Sequence, residues 1–276
     1  MKSNAPVDRN FDDLTEKFKR KVYGGLKGEI RLAVIWRDLN QVMALKVMGK
    51  PIRILDIGGG LGQLSTKLSL MGHQVSYNDI SCSMMIEAQK LAKKNDQLNN
   101  IDWHNCPYQD LSPEILGRFD LVMCHAVIEW LAHPDKLIEA LTQLKAENGI
   151  ISLTFYNQNS LIYRNLLKGN FKLLEREFIA DPGSLTPHTP FLPKSILLWT
   201  KSNNLEILKS SGIRVFFDYI SSLRGGHLND VDLISKELEY SEVEPFKSLG
   251  RYIPVSYTHL RAHETEADLV CRLLLE

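Results

Sequence analysis

The sequence predicts an α/β protein with a mostly parallel sheet flanked by helices. Over residues 50–155, apolar segments of strand length alternate with helical segments, which indicates parallel strands joined by right-handed crossovers. A glycine-rich turn follows the first strand, as in the opening βαβ unit of nucleotide-binding folds. Leu121 to Cys124 form a continuous apolar run, which is typical of a strand buried on both faces.

Composition restricts the class of protein. The chain has 276 residues, of which 44% are hydrophobic and 24% charged, as in ordinary globular proteins. We find no apolar run of membrane-spanning length and no signal core at the N-terminus, so we expect a cytoplasmic location. Four cysteines without a Cys-x-x-Cys pair favour neither a metal site nor a disulfide framework. Because the net charge is zero, a nucleic-acid partner would need a local basic patch.

The N-terminal segment 11–48 has a helical pattern with many basic residues. At residues 23–28, three glycines surround Tyr23 and Lys27 and interrupt this pattern. Two interpretations stay open. The segment is either a solvated basic helix at the domain edge or a lid that closes on an anionic ligand.

The first strand runs from Ile52 to Ile57 and leads into a turn with glycines at 58, 59, 60 and 62. Asp56 precedes these glycines, which gives the pattern Asp-x-Gly-x-Gly-x-Gly. Position 63 is Gln, so the Gly-x-Gly-x-x-Gly fingerprint of dinucleotide sites is absent. Glycine lets a ligand approach the main chain closely. We therefore take Asp56, Gly58, Gly59 and Gly60 as candidate cofactor-binding residues, against the alternative of a turn that binds nothing.

Asp79 ends the second strand, which we assign to residues 73–80. An acid about 20 residues past the glycine turn accepts hydrogen bonds from ribose hydroxyls in nucleotide-binding folds. A carboxylate suits a diol because it only accepts and the diol offers two donors. The alternative is an N-cap for the next helix, although Ser81 or Ser83 would also serve as that cap.

Two further strand ends supply candidates. The third strand, Ile101 to Cys106, is followed by Tyr108 and Gln109, which either contact an adenine amino group or form a simple turn. The fourth strand begins at Phe119, and His125 lies just past its carboxyl end. Open α/β sheets bind their ligands at this edge, so we predict a site role for His125.

The rest of the chain departs from regular alternation. We predict an insertion over residues 156–211 that covers the catalytic face and selects substrate, because it is too long for a plain connection. The segments assigned around it are a helix from Pro134 to Gly149, a fifth strand at Ile150–Phe155, a helix at about Lys194–Lys209, a strand at Arg214–Tyr219, a helix at Asp230–Tyr240 and a last strand at Arg251–Val255.

Several motifs together resemble the bacterial tRNA 5-carboxymethoxyuridine methyltransferases. They are Asp8-Arg9-Asn10-Phe11-Asp12-Asp13 with Lys17-Phe18, Tyr23-Gly24 with Lys27-Gly28 and Arg31, Leu55-Asp56 with the glycine run and Gln63, His125-Ala126-Val127 with Glu129-Trp130, Phe155-Tyr156-Asn157, Gly169-Asn170-Phe171 and Gly250-Arg251-Tyr252-Ile253. The resemblance spans about Asp8 to Val255 and implies a Rossmann-like class I methyltransferase fold with a seven-stranded sheet. It also implies that S-adenosylmethionine is used to esterify the carboxylate of a modified wobble uridine in the tRNA anticodon loop.

The resemblance also implies roles for single residues. Cofactor contacts would fall on Arg31, Gly58, Gly59, Asp79, Tyr108, Gln109 and His125. We expect Arg31 to pair with the methionine carboxylate of the cofactor, and we leave the substrate carboxylate to Lys27, Tyr23 or Arg251. Tyr23 or Trp130 would stack on the uracil, although core packing explains Trp130 equally well. No metal and no general base are required, because a carboxylate is already ionised at neutral pH.

The C-terminal residues 256–276 do not resemble the family, and their sequence is similar to translated sequencing-adapter read-through. We therefore predict a single domain over 1–255 and a non-native tail. Two other functions stay open: an S-adenosylmethionine-dependent O-methyltransferase of a small-molecule carboxylate, and a non-catalytic cofactor-binding protein. A nicotinamide dehydrogenase is disfavoured by the glycine spacing.

Overall fold

The protein folds around one central sheet. The computed structural model describes residues 7–46, 49–175, 183–187, 189–220 and 229–259. The strands of these residues are β1 (Arg53–Ile57), β2 (Gln74–Asn78), β3 (Ile101–His104), β4 (Phe119–His125), β5 (Lys145–Tyr156), β6 (Leu205–Ser210) and β7 (Tyr252–His259). They form a seven-stranded sheet in the order β3-β2-β1-β4-β5-β7-β6. Strands β1 to β5 pair in parallel, and β7 is antiparallel to both of its neighbours.

Helices cover both faces of the sheet. The α-helices of the described residues are α1 (Thr15–Phe18), α2 (Leu26–Lys46), α3 (Gln63–Leu70), α4 (Cys82–Lys94), α5 (Pro113–Leu116), α6 (Leu137–Leu144), α7 (Gln158–Leu167), α8 (Phe171–Leu174), α9 (Pro193–Ser202) and α10 (Asp230–Tyr240). A π-helical stretch at Lys19–Tyr23 joins α1 to the turn before α2. Such stretches are frequent at functional sites.

The strand sequences explain the two cores. Side chains alternate across a strand, so Leu121 of β4 enters the core on one face and Val122 the core on the other. Both are fully buried, as are Ile54 and Leu55 of β1. The order of the strands reverses between β1 and β4, and open α/β sheets bind ligands at such a switch point. The cores therefore fix the carboxyl ends of β1, β2 and β4 as the place for a site.

The structure confirms strands β1 to β5 and the helix at Asp230–Tyr240, and it corrects four other elements. The helix predicted to run to Lys209 ends at Ser202, because Asn204 adopts a left-handed backbone (φ 54°), and β6 follows. The insertion therefore ends before Leu205. The helix that opens at Pro134 ends at Leu144, since β5 already begins at Lys145.

The strand predicted at Arg214–Tyr219 is wrong. Ile213 makes an isolated bridge to Tyr252, and the chain then turns into a short 3₁₀ helix at Phe217–Tyr219. The buried carboxylate of Glu237 accepts hydrogen bonds from the amides of residues 215, 216 and 217 at 2.7–3.2 Å. These amides point at one side chain, so they cannot form a ladder with a neighbouring strand.

The last strand is longer than predicted. It continues past Val255 to His259, with Ser256 opposite Ser152 of β5 and His259 opposite Leu205 of β6. Tyr257 is 2% exposed within the sheet. Placing the end of this strand at Val255 was therefore wrong. Residues 260–276 lie outside the described residues, and the non-native origin of the tail stays a prediction.

Candidate active site

A roofed cavity lies at the carboxyl ends of β1, β2 and β4. Its empty volume is about 920 Å³, including the part open to solvent. Gly58, Asp79 and His125 come from the strand ends, Arg31 from α2 and Tyr252 from β7. The parallel strands thus bring together residues that lie far apart in sequence.

The glycine turn forms one wall of the cavity. Gly58 and Gly60 line it and have positive φ angles of 64° and 54°, which side chains rarely adopt. Gly59 does not line the cavity. A Cβ atom at Gly59 would lie 2.6 Å from the Tyr77 ring and 3.0 Å from the Asp56 carboxylate, so this glycine is required by packing behind the turn.

Asp56 is also behind the wall rather than on it. Its carboxylate accepts a 2.5 Å hydrogen bond from the Ser65 hydroxyl in α3 and is 3% exposed as a residue. Burial raises the pKa of Asp56 to about 7, and the nearby charge of Asp79 adds to the increase. The sequence-based assignment of Asp56 to the cofactor is corrected to a brace between β1 and α3.

Asp79 faces the cavity from the end of β2. One carboxylate oxygen accepts from the Gly60 amide at 2.9 Å and the other from the Ser81 amide at 2.8 Å. Ser81 is the N-cap of α4, since its hydroxyl accepts from the Met84 amide, so Asp79 is not needed as the cap. Burial raises the pKa of Asp79 to about 6, although the two amides oppose the shift. Each carboxylate oxygen keeps a lone pair for a further donor.

Arg31 and His125 supply the other polar groups of the wall. Arg31 is 7% exposed, and its guanidinium carbon lies 4.2 Å from the centroid of the Tyr252 ring. The His125 Nε2 atom is 3.0 Å from the Ser152 hydroxyl, and Nδ1 has no hydrogen-bond partner among the described residues. Burial, with the charge of Arg31, lowers the pKa of His125 to about 3. The imidazole is therefore neutral at physiological pH.

The N-terminal segment roofs the cavity. Phe18, Val22 and Tyr23 line it from above. Phe18 packs between Phe11 and Tyr23 with 5.7 Å between ring centroids in each pair, and Trp130 stands edge-on to Phe11 at 4.8 Å. This location fits the lid interpretation of the segment, and its opening motion stays a prediction.

Three other predicted residues lie off the wall. Lys27 is exposed on the first turn of α2. Gln109 is exposed and does not line the cavity, although it donates a 2.7 Å hydrogen bond to the carboxylate of Asp8, and the neighbouring Tyr108 lines the cavity. Arg251 packs over the Tyr156 ring at 4.8 Å, behind the cavity wall.

The sequence reasoning did not assign several wall residues. Tyr252 and Phe18 were only parts of quoted motifs, and Met84 of α4 was not assigned a role at the site. Asp8 also reaches the wall and accepts from the Ala132 amide at 2.8 Å. The sequence did contain a signal for these residues. Asp8 and Phe18 belong to the N-terminal motif of the family resemblance, and Tyr252 belongs to its C-terminal motif.

Comparison with known proteins identifies the family of this chain. The family model "Methyltransferase domain" matches residues 55–153. The tRNA 5-carboxymethoxyuridine methyltransferase of Escherichia coli (strain K12) is 35% identical over 250 residues, which cover 90% of this chain and 95% of that protein. The chain belongs to the tRNA 5-carboxymethoxyuridine methyltransferase family. It is a class I S-adenosylmethionine-dependent methyltransferase, and S-adenosylmethionine is its cofactor.

More distant comparisons agree with the fold of this methyltransferase. The ubiquinone biosynthesis O-methyltransferase of Dechloromonas aromatica (strain RCB) is 26% identical over 63% of this chain and 71% of its own. The crystal structure of magnesium protoporphyrin IX methyltransferase from Synechocystis PCC 6803, with bound SAH, superposes with a TM-score of 0.57. That pair is 18% identical and covers 91% of this chain and 96% of the other, so it supports the fold alone.

The wall of the methyltransferase fits its cofactor. Asp79 offers acceptors for a ribose diol, Arg31 offers a cation for a carboxylate, and the unpartnered Nδ1 of His125 offers a polar contact. A Cβ atom at Gly60 would meet Phe18 only at 3.9 Å, so the main chain there is open to close approach, whereas a Cβ atom at Gly58 would clash with Val127. No helix of the described residues is long and apolar enough to cross a membrane. In the same residues we find no group of three or more His, Cys, Asp or Glu side chains placed to hold a metal ion.

Proposed function

We propose that this enzyme methylates the carboxylate of 5-carboxymethoxyuridine at the wobble position, residue 34 of tRNA, to give the methyl ester. The observation that carries the proposal is the 35% identity to the Escherichia coli tRNA 5-carboxymethoxyuridine methyltransferase over 95% of that protein's length. Because tRNA is the substrate of the proposed reaction, we also propose a cytoplasmic location.

The chemistry asks little of the side chains. S-adenosylmethionine supplies an electrophilic methyl group on a sulfonium. A bond forms between a substrate carboxylate oxygen and the methyl carbon while the sulfur–methyl bond breaks, and S-adenosylhomocysteine leaves. A carboxylate is ionised at neutral pH, so no general base is needed. Because its pKa is lowered to about 3, His125 is a weak base, and Asp79 is already engaged with two amides, which agrees with a wall that has no dedicated base.

Alignment and exclusion of water are the contributions left to the protein. Good alignment alone supplies roughly 7–11 kcal/mol of barrier reduction. The roof formed by Phe18, Val22 and Tyr23 covers the cavity with apolar and aromatic surface. We propose that Tyr23 or Trp130 stacks on the uracil base, which is the usual way of reading bases in single-stranded RNA loops.

We also assign the wall residues to the cofactor. Asp79 accepts hydrogen bonds from the ribose hydroxyls, and the main chain at Gly58 and Gly60 lies against the nucleoside. Arg31 pairs with the methionine carboxylate through its planar guanidinium. Tyr108 and His125 contact the remaining parts of the cofactor. These assignments are supported by the cavity lining and by the burial of Arg31 and Asp79.

A small-molecule carboxylate is the second candidate substrate. The observation in its favour is the relationship to the ubiquinone biosynthesis O-methyltransferase, which is 26% identical over 178 residues. A roofed cavity also suits a small acceptor. A requirement for RNA in the activity assay distinguishes the two candidates.

The test uses bulk tRNA from cells that lack the ester. The tRNA is incubated with the enzyme and S-adenosylmethionine, digested to nucleosides and analysed by mass spectrometry. We expect 5-carboxymethoxyuridine to gain one methyl group. If no methyl group is gained by a protein that binds S-adenosylhomocysteine normally, the proposal is wrong and a small-molecule acceptor is favoured.

A further inference from the structure

Three arginines converge beside the cofactor cavity. Arg251 lies just before β7, and its guanidinium carbon is 4.8 Å from the centroid of the Tyr156 ring. Arg214 lies in the loop after Ile213, with its guanidinium carbon 5.8 Å from the Tyr252 ring. Arg164 belongs to α7, and its charge, like that of Arg214, acts on the Tyr156 hydroxyl. We call Arg164, Arg214, Arg251 and the Tyr156 hydroxyl the arginine cluster.

The arginine cluster contains buried donors without partners. The atoms in question are Nε of Arg164, Nε of Arg214, Nε and Nη1 of Arg251, and the hydroxyl of Tyr156. In the described residues, Asp218 lies nearby, at 3.6 Å from Arg214 Nη1 and 3.9 Å from Arg251 Nε. Those distances exceed hydrogen-bond length. Asp218 pairs with two of the three cations, and the neighbouring Glu237 carboxylate is held by backbone amides, so two carboxylates beside three arginines leave an excess of positive charge.

Unpartnered buried donors are costly, so they call for an explanation. Leaving a buried donor unsatisfied costs about 1–3 kcal/mol, and more for a charged group. Most buried polar atoms in folded proteins have a partner. The oxygens of a bound anion would supply acceptors for such donors, whereas apolar packing would not. The arrangement is therefore typical of an oxyanion-binding site.

The backbone holds the cluster in place. Arg214 adopts a positive φ of 57°, which is uncommon for a residue with a long side chain and is frequent at binding sites. Ile213 before it bridges to Tyr252, and Glu237 fixes the amides of Val215 and Phe216 after it. The loop is thus anchored on both sides of the strained residue.

The cluster borders both the cavity and an outer surface. Tyr252 separates it from the cavity, because the same ring lies near Arg214 and 4.2 Å from Arg31. On the outer side, α7 and α8 expose aromatic and basic side chains, namely Tyr163, Lys168, Phe171 and Lys172. Exposed aromatic and basic residues are the usual features of a surface that binds single-stranded nucleic acid.

We propose that the arginine cluster is an oxyanion-binding site for the RNA substrate. This inference rests on the proposed function, because RNA is the molecule that brings the anion to this place. Guanidinium groups bind carboxylate and phosphate oxygens through paired hydrogen bonds. Two parts of the RNA share that chemistry: the carboxylate of the modified uridine and a phosphodiester of the anticodon loop.

The experiment compares two anticodon stem-loops, one with 5-carboxymethoxyuridine and one with uridine at the same position. Affinities are measured by fluorescence anisotropy for the wild type and for the variants Arg214→Gln and Arg251→Gln. Lys94→Gln, an exposed change at the end of α4, is the matched control for the loss of one charge. Binding of S-adenosylhomocysteine verifies that each variant is folded.

The two anion sources give different results. If the cluster holds the carboxylate, the variants lose about tenfold or more of affinity for the modified stem-loop and little for the uridine one, as expected for charge-assisted hydrogen bonds. If it holds a phosphodiester, both stem-loops weaken equally and the salt dependence decreases by about one ion. Either result supports the site. Variants that bind both RNAs as tightly as Lys94→Gln overturn it.

A further variant covers a failure to fold. Arg164 lies on α7, outside the loop that Glu237 anchors and outside β7, so Arg164→Gln removes a cation without changing either of those elements. It decides by the same criteria if the other variants lose cofactor binding. If the wild type methylates the tRNA and all variants bind RNA normally, the proposal for the arginine cluster is wrong and the proposed function stands. A wild type that binds RNA through the cluster without methylating it refutes the proposed function alone, and a wild type that binds neither stem-loop refutes both.

Discussion

Asp79 is the residue whose protonation connects the local structure to cofactor binding. Burial at the end of β2 raises its pKa to about 6, while the amides of Gly60 and Ser81 favour the charged form. The ionised carboxylate accepts hydrogen bonds through both oxygens, whereas in the protonated form one oxygen carries a donor. The ionised form is therefore the one that suits the two hydroxyls of a ribose. The affinity for S-adenosylhomocysteine is therefore linked to pH through this group.

We predict that this affinity decreases as the pH falls below about 6, approaching tenfold per pH unit, because the protonated carboxyl must first ionise. Calorimetric titrations with S-adenosylhomocysteine between pH 5 and pH 8 measure the effect. Asp79→Asn should bind weakly and lose this dependence. Asp56→Asn is the comparison: Asp56 lies behind the wall, so this variant should keep a pH dependence, shifted to lower pH because a neighbouring negative charge is removed. A profile that persists in Asp79→Asn would contradict the assignment.

Arg31 is the buried cation of the cavity wall. We predict that Arg31→Ala weakens binding of S-adenosylhomocysteine by about ten- to a hundredfold, since charge-assisted hydrogen bonds contribute about 1.5–3 kcal/mol. Calorimetry measures the affinity, and circular dichroism verifies the fold. Lys94→Ala serves as the control for the loss of a charge. Wild-type affinity in Arg31→Ala would remove this residue from the site.

At the scale of elements, sequence patterns identified the parts that follow local rules. Strand β4 contains the continuous apolar run at residues 121–124, β1 and β2 are shorter mixed segments, and the positions of Asp79 and His125 follow from the ends of β2 and β4. Strand β6 was missed because it lies at the sheet edge and is mostly half-exposed, so its composition is close to that of a helix end. Tyr252 was not assigned to the wall because it is brought there by a strand about 200 residues away from the glycine turn.

Strand β7 gives a prediction at this scale. Its second half pairs with both β5 and β6, and Tyr257 is buried between the helices and the sheet core. A chain that ends after Val255 loses this pairing and the burial of Tyr257, which is worth about 3 kcal/mol or more. For a domain of this size we expect a melting temperature lower by roughly 10 °C.

The comparison for that prediction is a chain that ends after His259. Differential scanning calorimetry should give it the higher melting temperature of the two. Tyr257→Ala in the full chain leaves the strand pairing in place and therefore isolates the contribution of the side chain. We expect this variant to reproduce most of the decrease in melting temperature. Equal melting temperatures for the two shortened chains would show that the residues after Val255 contribute nothing to the sheet.

At the scale of the whole molecule, the buried carboxyl groups near the site make the stability depend on pH. Burial raises the pKa of Glu129 to about 8 and that of Asp56 to about 7, in addition to the shift at Asp79. A buried acid that keeps its proton in the folded state loses it in the unfolded state above its ordinary pKa. The folded state then binds more protons, so these groups lower the stability as the pH rises.

We predict that Glu129→Gln removes the largest part of this pH dependence. Glu129 is fully buried, and the charge of Arg31 only partly opposes the effect of desolvation on its pKa. Between pH 5 and pH 9 the wild type should lose about 4 kcal/mol more stability than the variant, at about 1.4 kcal/mol per unit of pKa shift. Urea denaturation at several pH values measures both proteins. His125 titrates in the opposite direction but is present in both, so the difference between them isolates Glu129. Parallel stability curves over this range would mean that Glu129 is already ionised in the folded enzyme and paired with Arg31.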